Sequence, residues 1–93
     1  MLMEYPFTEN KITKNSFIRK FSSTIDESKL NWHMDKNDRS IFVISGEGWM
    51  FQRENDLPFL IEKGKAFHIR KNSWHRLIKG GGELVILIAE NNL

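Results

Sequence analysis

After Leu30 the chain alternates between short runs of apolar, β-branched and aromatic residues and clusters of Gly, Asn, Asp and Lys. The runs fall at 40–44, 49–53, 57–61, 66–69, 74–78 and 83–89. No long window repeats its apolar residues at the 3.6-residue spacing of an amphipathic helix, so we expect no substantial helix here. Short strands at close spacing, separated by turn residues, are typical of β-sandwiches and β-barrels. The sequence therefore predicts an all-β domain of antiparallel strands.

The first third of the chain is less regular. Residues 16–21 carry apolar side chains at Phe17, Ile18 and Phe21, and we predict a strand there. Residues 22–29 contain turn and cap residues, which indicate a loop or a single helical turn. Pro6 breaks any helix in residues 1–14, which we expect to form an ordered arm or an irregular edge strand. We assign 1–29 as the N-terminal arm and first strand, and 30–93 as the barrel core of the same domain.

The composition excludes several classes of function. A chain of 93 residues makes one small domain. It contains no cysteine, which excludes disulfides, thiolate metal sites and cysteine nucleophiles. The net charge of +2 comes from interleaved basic and acidic residues, without the clustered basic face of a nucleic-acid-binding protein. The longest apolar run is too short to span a bilayer, and the first residues lack a signal-peptide pattern. We therefore expect a cytoplasmic protein that binds neither nucleic acid nor membrane.

The last predicted strand contains Leu84-Val85-Ile86-Leu87-Ile88 and is apolar on both faces. A strand with one face toward solvent normally alternates apolar and polar residues. Its outward face must therefore be covered, either by the N-terminal arm or by a second subunit. Because the domain is small, we expect a homodimer.

Two histidines and one carboxylate lie where strands can bring them together. In an extended segment, residues two apart point to the same face, so His33 and Asp35 project together. His75 lies in the predicted strand 74–78 and shares a face with Leu77. If both segments line one barrel, the three side chains form the two-histidine, one-carboxylate set that holds Fe(II). The same set can hold Zn, Mn or Ni.

Three more residues are candidates for ligand binding. The guanidinium of Arg39, four residues after Asp35, can either orient the carboxylate or phosphate of a ligand or pair with Asp35 itself. Gln52 is expected to point into the barrel and to bind a ligand, with Phe51 on the outside. Trp49 can stack on a ligand, although aromatic residues on short strands more often pack in the core.

Residues 30–88 resemble a minimal cupin, a small β-barrel family with two characteristic motifs. The first motif runs G-x5-H-x-H-x3,4-E-x6-G. His33 corresponds to its first histidine and Asp35 to its second, while Arg39 falls on the glutamate and Gly46 on the closing glycine.

The second cupin motif, G-x5-P-x-G-x2-H-x3-N, is matched only in part. Gly64 falls on its first glycine and His75 on its histidine. The proline, the later glycine and the asparagine are replaced by Arg70, Asn72 and Lys79. The same part of the chain is also similar to small cupin-like proteins of marine cyanophages, which would imply the cytoplasm of a host cell.

The resemblance implies a jelly-roll β-barrel in which His33, Asp35 and His75 are the metal ligands. The fourth ligand position holds Arg39, which cannot bind a cation. Two functions therefore stay open. The first is a binding or structural module that kept the barrel and lost the metal chemistry. The second is a mononuclear metal-dependent enzyme, of the oxygenase or isomerase class, that acts on a small anionic substrate oriented by Arg39.

Overall fold

The structure is a computed structural model that describes residues 6–91. Within this range it contains β-strands and one short 3-10 turn, Glu27–Lys29. The strands are Thr8–Thr13 (β1), Ser16–Phe21 (β2), Asp38–Ser45 (β3), Met50–Arg53 (β4), Phe59–Leu60 (β5), Ala66–Ile69 (β6), His75–Ile78 (β7) and Leu84–Asn91 (β8). Each run that was predicted as a strand overlaps one of them, and the all-β prediction is confirmed.

The strands form two antiparallel sheets. The larger sheet has the order β1-β2-β8-β3-β6, and the smaller has the order β5-β4-β7. Strand β8 pairs with β2 on one side and with β3 on the other, so the last strand lies at the centre of the larger sheet. Neighbours that are distant in sequence are typical of a jelly roll, in which successive strands alternate between facing sheets.

The inner faces of the two sheets meet in one apolar core. From β8, Leu84, Ile86 and Ile88 are buried in it. Phe51 of the smaller sheet packs against Phe67 of the larger one, with 4.8 Å between ring centroids. The expected orientation of β4 is therefore wrong, since Phe51 points inward. The aromatic residues at 49 and 51 are two positions apart and therefore point to the same face of the strand. Burying both removes far more apolar area from water than burying one amide side chain.

The N-terminal arm extends the larger sheet. Strand β1 pairs with β2 at the sheet edge, and its register is interrupted between Lys11 and Thr13. Before this strand, Phe7 packs on Phe21 with 5.5 Å between ring centroids. On the outward face of the larger sheet, Val85 of β8 is buried, but Phe42 on the adjacent strand is 44% exposed, so the described part of the arm leaves part of this face uncovered. Residues 1–5 of the predicted arm lie outside the described range.

Residues 6–91 contain no helix long and apolar enough to cross a membrane.

Candidate metal centre

A short antiparallel bridge brings His33 to His75 at the start of β7. The backbone N–H of each histidine donates to the carbonyl of the other at 3.0 Å. Residues paired in this way stand side by side on one face, and the two rings meet edge to face with 4.4 Å between centroids. The segment before β3 is therefore extended where the sequence analysis expected it to be.

Backbone carbonyls orient both imidazole rings. Nδ1 of His33 lies 3.0 Å from the carbonyl oxygen of Asn31, and Nδ1 of His75 lies 2.9 Å from that of Ser73. A carbonyl oxygen can only accept a hydrogen bond, so Nδ1 carries the hydrogen in each ring. In the neutral rings Nε2 then presents a lone pair. Histidines that bind metals are held in this way, with the other nitrogen donating to a carbonyl or carboxylate.

The carboxylate of Asp35 completes the cluster, and its side chain is only 12% exposed. Its Oδ1 lies 3.3 Å from Nη1 of Arg39, and its Oδ2 lies 3.1 Å from Nε2 of His75. Burial acts to raise the pKa of Asp35, but the contact with His75 and the charge of Arg39 outweigh burial and lower the pKa below its usual range. Asp35 is therefore an ionised carboxylate at neutral pH.

The three side chains fit a divalent metal ion. Oδ2 of Asp35 is buried and has no hydrogen-bond partner within the described range. It lies 3.1 Å from Nε2 of His75, a separation that is favourable only when a proton or a metal ion lies between the two atoms. Two ligands about 2.1 Å from one ion and at a right angle are about 3.0 Å apart. One potential ligand atom from each of His33, Asp35 and His75 lies within 4.8 Å of the other two.

Arg39 is held between two carboxylates. Its Nη1 lies toward Asp35, and its Nε lies 3.0 Å from Oε2 of Glu90. Glu90 is directly opposite Arg39 in the pairing of β3 with β8. A guanidinium beside a metal site would repel the ion, but here two carboxylates balance its charge. The pairing of Arg39 with Asp35, one of its two predicted roles, is present in the structure.

Glu90 is not among the site residues predicted from the sequence. It follows Leu84, Ile86 and Ile88 at the same two-residue spacing, so it shares their inward face at the end of an apolar strand. A charged residue on the inward face of a strand needs an oppositely charged or hydrogen-bonding partner inside the barrel, and this position could have indicated one. The identity of that partner required the register between β3 and β8.

A cavity of about 640 Å³ extends from the metal-ligand cluster into the barrel. Its lining is mainly apolar and includes Ile41, Phe51, Ile61 and Leu77 from both sheets. The polar lining residues are Arg19, Lys29, Asn31, His33, Asp35, Arg39 and His75. This size and composition are typical of a small-molecule pocket, which is mostly apolar with a few polar groups that fix the orientation of the ligand.

Two of the predicted ligand-binding residues do not line this cavity. Trp49 is fully buried, and its indole N–H donates to the carbonyl of Gly82 at 2.8 Å. Gln52 lies on the outward face of β4, where its amide donates to the carbonyl of Asp56 and accepts from Nε of Arg76. Of the predicted ligand-binding residues, Arg39 alone is at the cavity.

No protein-family model and no curated protein matches the chain. Solved structures with the same fold are similar to it at low sequence identity. HppE, solved with Co(II) and its substrate, has a TM-score of 0.73 and 12% identity over 98% of this chain and 58% of its own. The DMSP lyase DddQ from Ruegeria pomeroyi has a TM-score of 0.68 and 13% identity over 84% of this chain and 38% of its own.

A cupin-like protein from Thermotoga maritima has a TM-score of 0.62 and 20% identity over 80% of this chain and 54% of its own. This chain thus spans 38–58% of the length of the three structures. At identities of this level the likeness shows the fold alone. The strand topology and these similarities together show that the chain has the cupin fold, a jelly roll of two antiparallel sheets.

Proposed function

We propose that the protein binds one divalent transition-metal ion through His33, Asp35 and His75 and acts on a small anionic molecule in the adjoining cavity. The observation that carries this proposal is the buried Oδ2 of Asp35, which lies 3.1 Å from Nε2 of His75 and has no hydrogen-bond partner among residues 6–91. The donor set of two imidazoles and one carboxylate is that of mononuclear Fe(II) sites, and Zn, Mn and Ni are alternatives.

A metal ion bound here would supply a Lewis acid with open coordination positions, which suits oxygenase or isomerase chemistry. The residues of the chain have separate roles. The carbonyls of Asn31 and Ser73 hold the two imidazoles in the ligating tautomer. Arg39 holds Asp35 through Oδ1, which leaves Oδ2 for the ion. The apolar walls exclude water from the bound ligand. The metal content of two similar structures, HppE with Co(II) and with Fe(II), supports this proposal by analogy of fold.

A second candidate function is a metal-free binding module. The ion pair between Arg39 and Asp35 favours it, since the guanidinium already partly neutralises the carboxylate. In this case a proton on Nε2 of His75 would take the place of the ion and would donate to Asp35.

Metal uptake by purified protein distinguishes the two candidates. The protein is stripped with a chelator and dialysed, and Fe(II), Zn(II) and Ni(II) are titrated into it separately by calorimetry. We expect one equivalent of metal per chain in the wild type and no uptake in His33→Ala or His75→Ala. His68→Ala is the matched control because the exposed side chain of His68 contacts the hydroxyl of Ser40, and His68 is not one of the proposed ligands. Uptake lost in the control as well, or no uptake of any metal by the wild type, would contradict the proposal.

The homodimer remains a prediction. An apolar row on the outward face of the larger sheet supports it, in which Phe42 and Ile18 lie on either side of Leu87 in register. Phe42 is 44% exposed, and the other two are partly buried. The cytoplasmic location and the similarity to cyanophage proteins are likewise still predictions.

A further inference from the structure

We infer that the metal-loaded cavity takes an amphipathic monoanion, a molecule with one negative charge at the metal end and an apolar body that fills the barrel. This inference rests on the proposed metal site and adds to it the charge and polarity of the ligand. Two features of the site support it: the balance of the partly buried charges, and the division of the cavity into a polar and an apolar end.

The charges around the metal ligands sum to a single negative charge before a metal binds. Asp35 and Glu90 are negative, and Arg39, which contacts both, is positive. The imidazoles of His33 and His75 are neutral when they bind a metal. A divalent ion therefore changes the net charge of the cluster from −1 to +1.

The other charged groups that line the cavity do not alter this balance. Lys29 is exposed, so solvent screens its charge. Arg19 also lines the cavity, but its Nη2 lies 2.7 Å from Oε1 of Glu9, and its guanidinium stacks on the ring of Phe7 at 3.8 Å from the centroid. The pair contributes no net charge. A charge of +1 in a largely apolar cavity is costly unless a counter-charge enters with the ligand. One negative charge on the ligand neutralises the site.

The rest of the cavity determines the polarity of the part of the ligand that lies away from the metal. Beyond the cluster, the walls are formed by aliphatic and aromatic side chains from both sheets, among them Ile41, Phe51, Phe67, Leu77 and Ile88. Few polar groups lie on this side to satisfy hydroxyl or amide groups of a ligand. Apolar area buried here is favourable by about 25 cal/mol per Å², so a hydrocarbon chain is the matching body.

The test uses Zn(II)-loaded protein and four probes in calorimetry: hexanoate, hexanamide, hexylammonium and acetate. We expect hexanoate to bind at least tenfold more tightly than hexanamide, and hexylammonium not to bind. Between acetate and hexanoate, affinity should rise by about fourfold per methylene group. Hexanoate should bind far more weakly to the metal-free protein, whose site is negative.

Variants that change one charge test whether the affinity for hexanoate depends on the net charge around the metal ligands. Glu90→Gln raises the site to +2 and should tighten hexanoate, whereas Arg39→Gln lowers it to 0 and should weaken hexanoate, each by about tenfold. Glu62→Gln removes the same charge at an exposed turn and should leave the affinity unchanged. The zinc stoichiometry and the thermal unfolding of each variant are measured beforehand, so loss of metal or of fold is recognised.

Two failures can be told apart. If the wild type takes up no zinc, the proposed function is contradicted. If zinc binds but hexanamide equals hexanoate, or affinity does not depend on chain length, only the inference of an amphipathic monoanion is overturned.

Discussion

Glu90 holds the guanidinium of Arg39 across two adjacent strands, with 3.0 Å between Oε2 and Nε. The two residues are 51 positions apart in the chain and directly opposite in the sheet. Through Arg39, the carboxylate at the end of β8 is linked to Asp35 and hence to the candidate metal ligands. The central strand thus supplies both the apolar core and one charge of the site.

Replacing Glu90 with alanine should destabilise the fold. The change leaves a partly buried guanidinium with one carboxylate partner instead of two, and we expect a loss of about 1–3 kcal/mol in the free energy of unfolding. Urea denaturation measures it. Glu83→Ala, at an exposed position before the same strand, should change stability by less than about 0.5 kcal/mol. Equal losses in both variants would show that the ion pair with Arg39 contributes nothing specific.

Metal binding should stabilise the native state. Zn(II) at about 100 times its dissociation constant should raise the free energy of unfolding by about 2.7 kcal/mol, since the ligands come together only in the folded chain. Denaturant titrations with zinc and with a chelator measure the difference. His75→Ala should show no such increase, and His68→Ala should show all of it. An increase that persists in His75→Ala would place the bound zinc elsewhere.

Trp49 should contribute to the stability of the fold and not to ligand binding. Trp49→Phe removes the hydrogen bond to Gly82 and leaves space in the core, and we expect a loss of about 2–3 kcal/mol in the free energy of unfolding. Trp74→Phe, with 43% of the residue exposed, should cost less than about 0.5 kcal/mol. The affinity for zinc should be the same in both variants. A weaker affinity in Trp49→Phe alone would show that Trp49 contributes to the metal site.

Gly80 should not tolerate a side chain. A methyl group there would collide with the backbone of Glu47, Gly48 and Trp49, where two turns cross. Because neighbouring backbone cannot give way as a flexible side chain can, Gly80→Ala should cost about 2–4 kcal/mol in thermal or urea unfolding. Gly82→Ala is the control, since a methyl group there meets nothing within 4 Å. Equal stabilities of the two variants would contradict the close approach.

The outward face of the larger sheet should form the interface of the predicted homodimer. Phe42→Glu places a charge in the middle of the apolar row, and we expect it to convert a dimer into a monomer in light scattering coupled to gel filtration. Leu57→Glu, at a position 87% exposed in the segment before β5, should leave the dimer intact. A monomeric wild type at micromolar concentration would overturn the prediction of a homodimer.

The sequence by itself determined the class of fold and most of the strands. Apolar runs and turn residues are local signals, since each strand must bury one side of a short segment. The same alternation correctly placed His33 and Asp35 on one face. The prediction was wrong at β4, where Gln52 was assigned to the interior, because Trp49 and Phe51 share the opposite face and burying both removes more apolar area from water.

Only the tertiary structure decided which residues of the site contact one another and which charges neutralise one another. His33 meets His75 through a bridge between segments more than forty residues apart, and Arg39 meets Glu90 through the register of β3 with β8. Register is set by long-range pairing along the whole sheet, and a shift of one residue would turn every side chain to the other face. The chain therefore carries the donor atoms in its sequence, while their distances and their counter-charges arise from the pairing of distant strands.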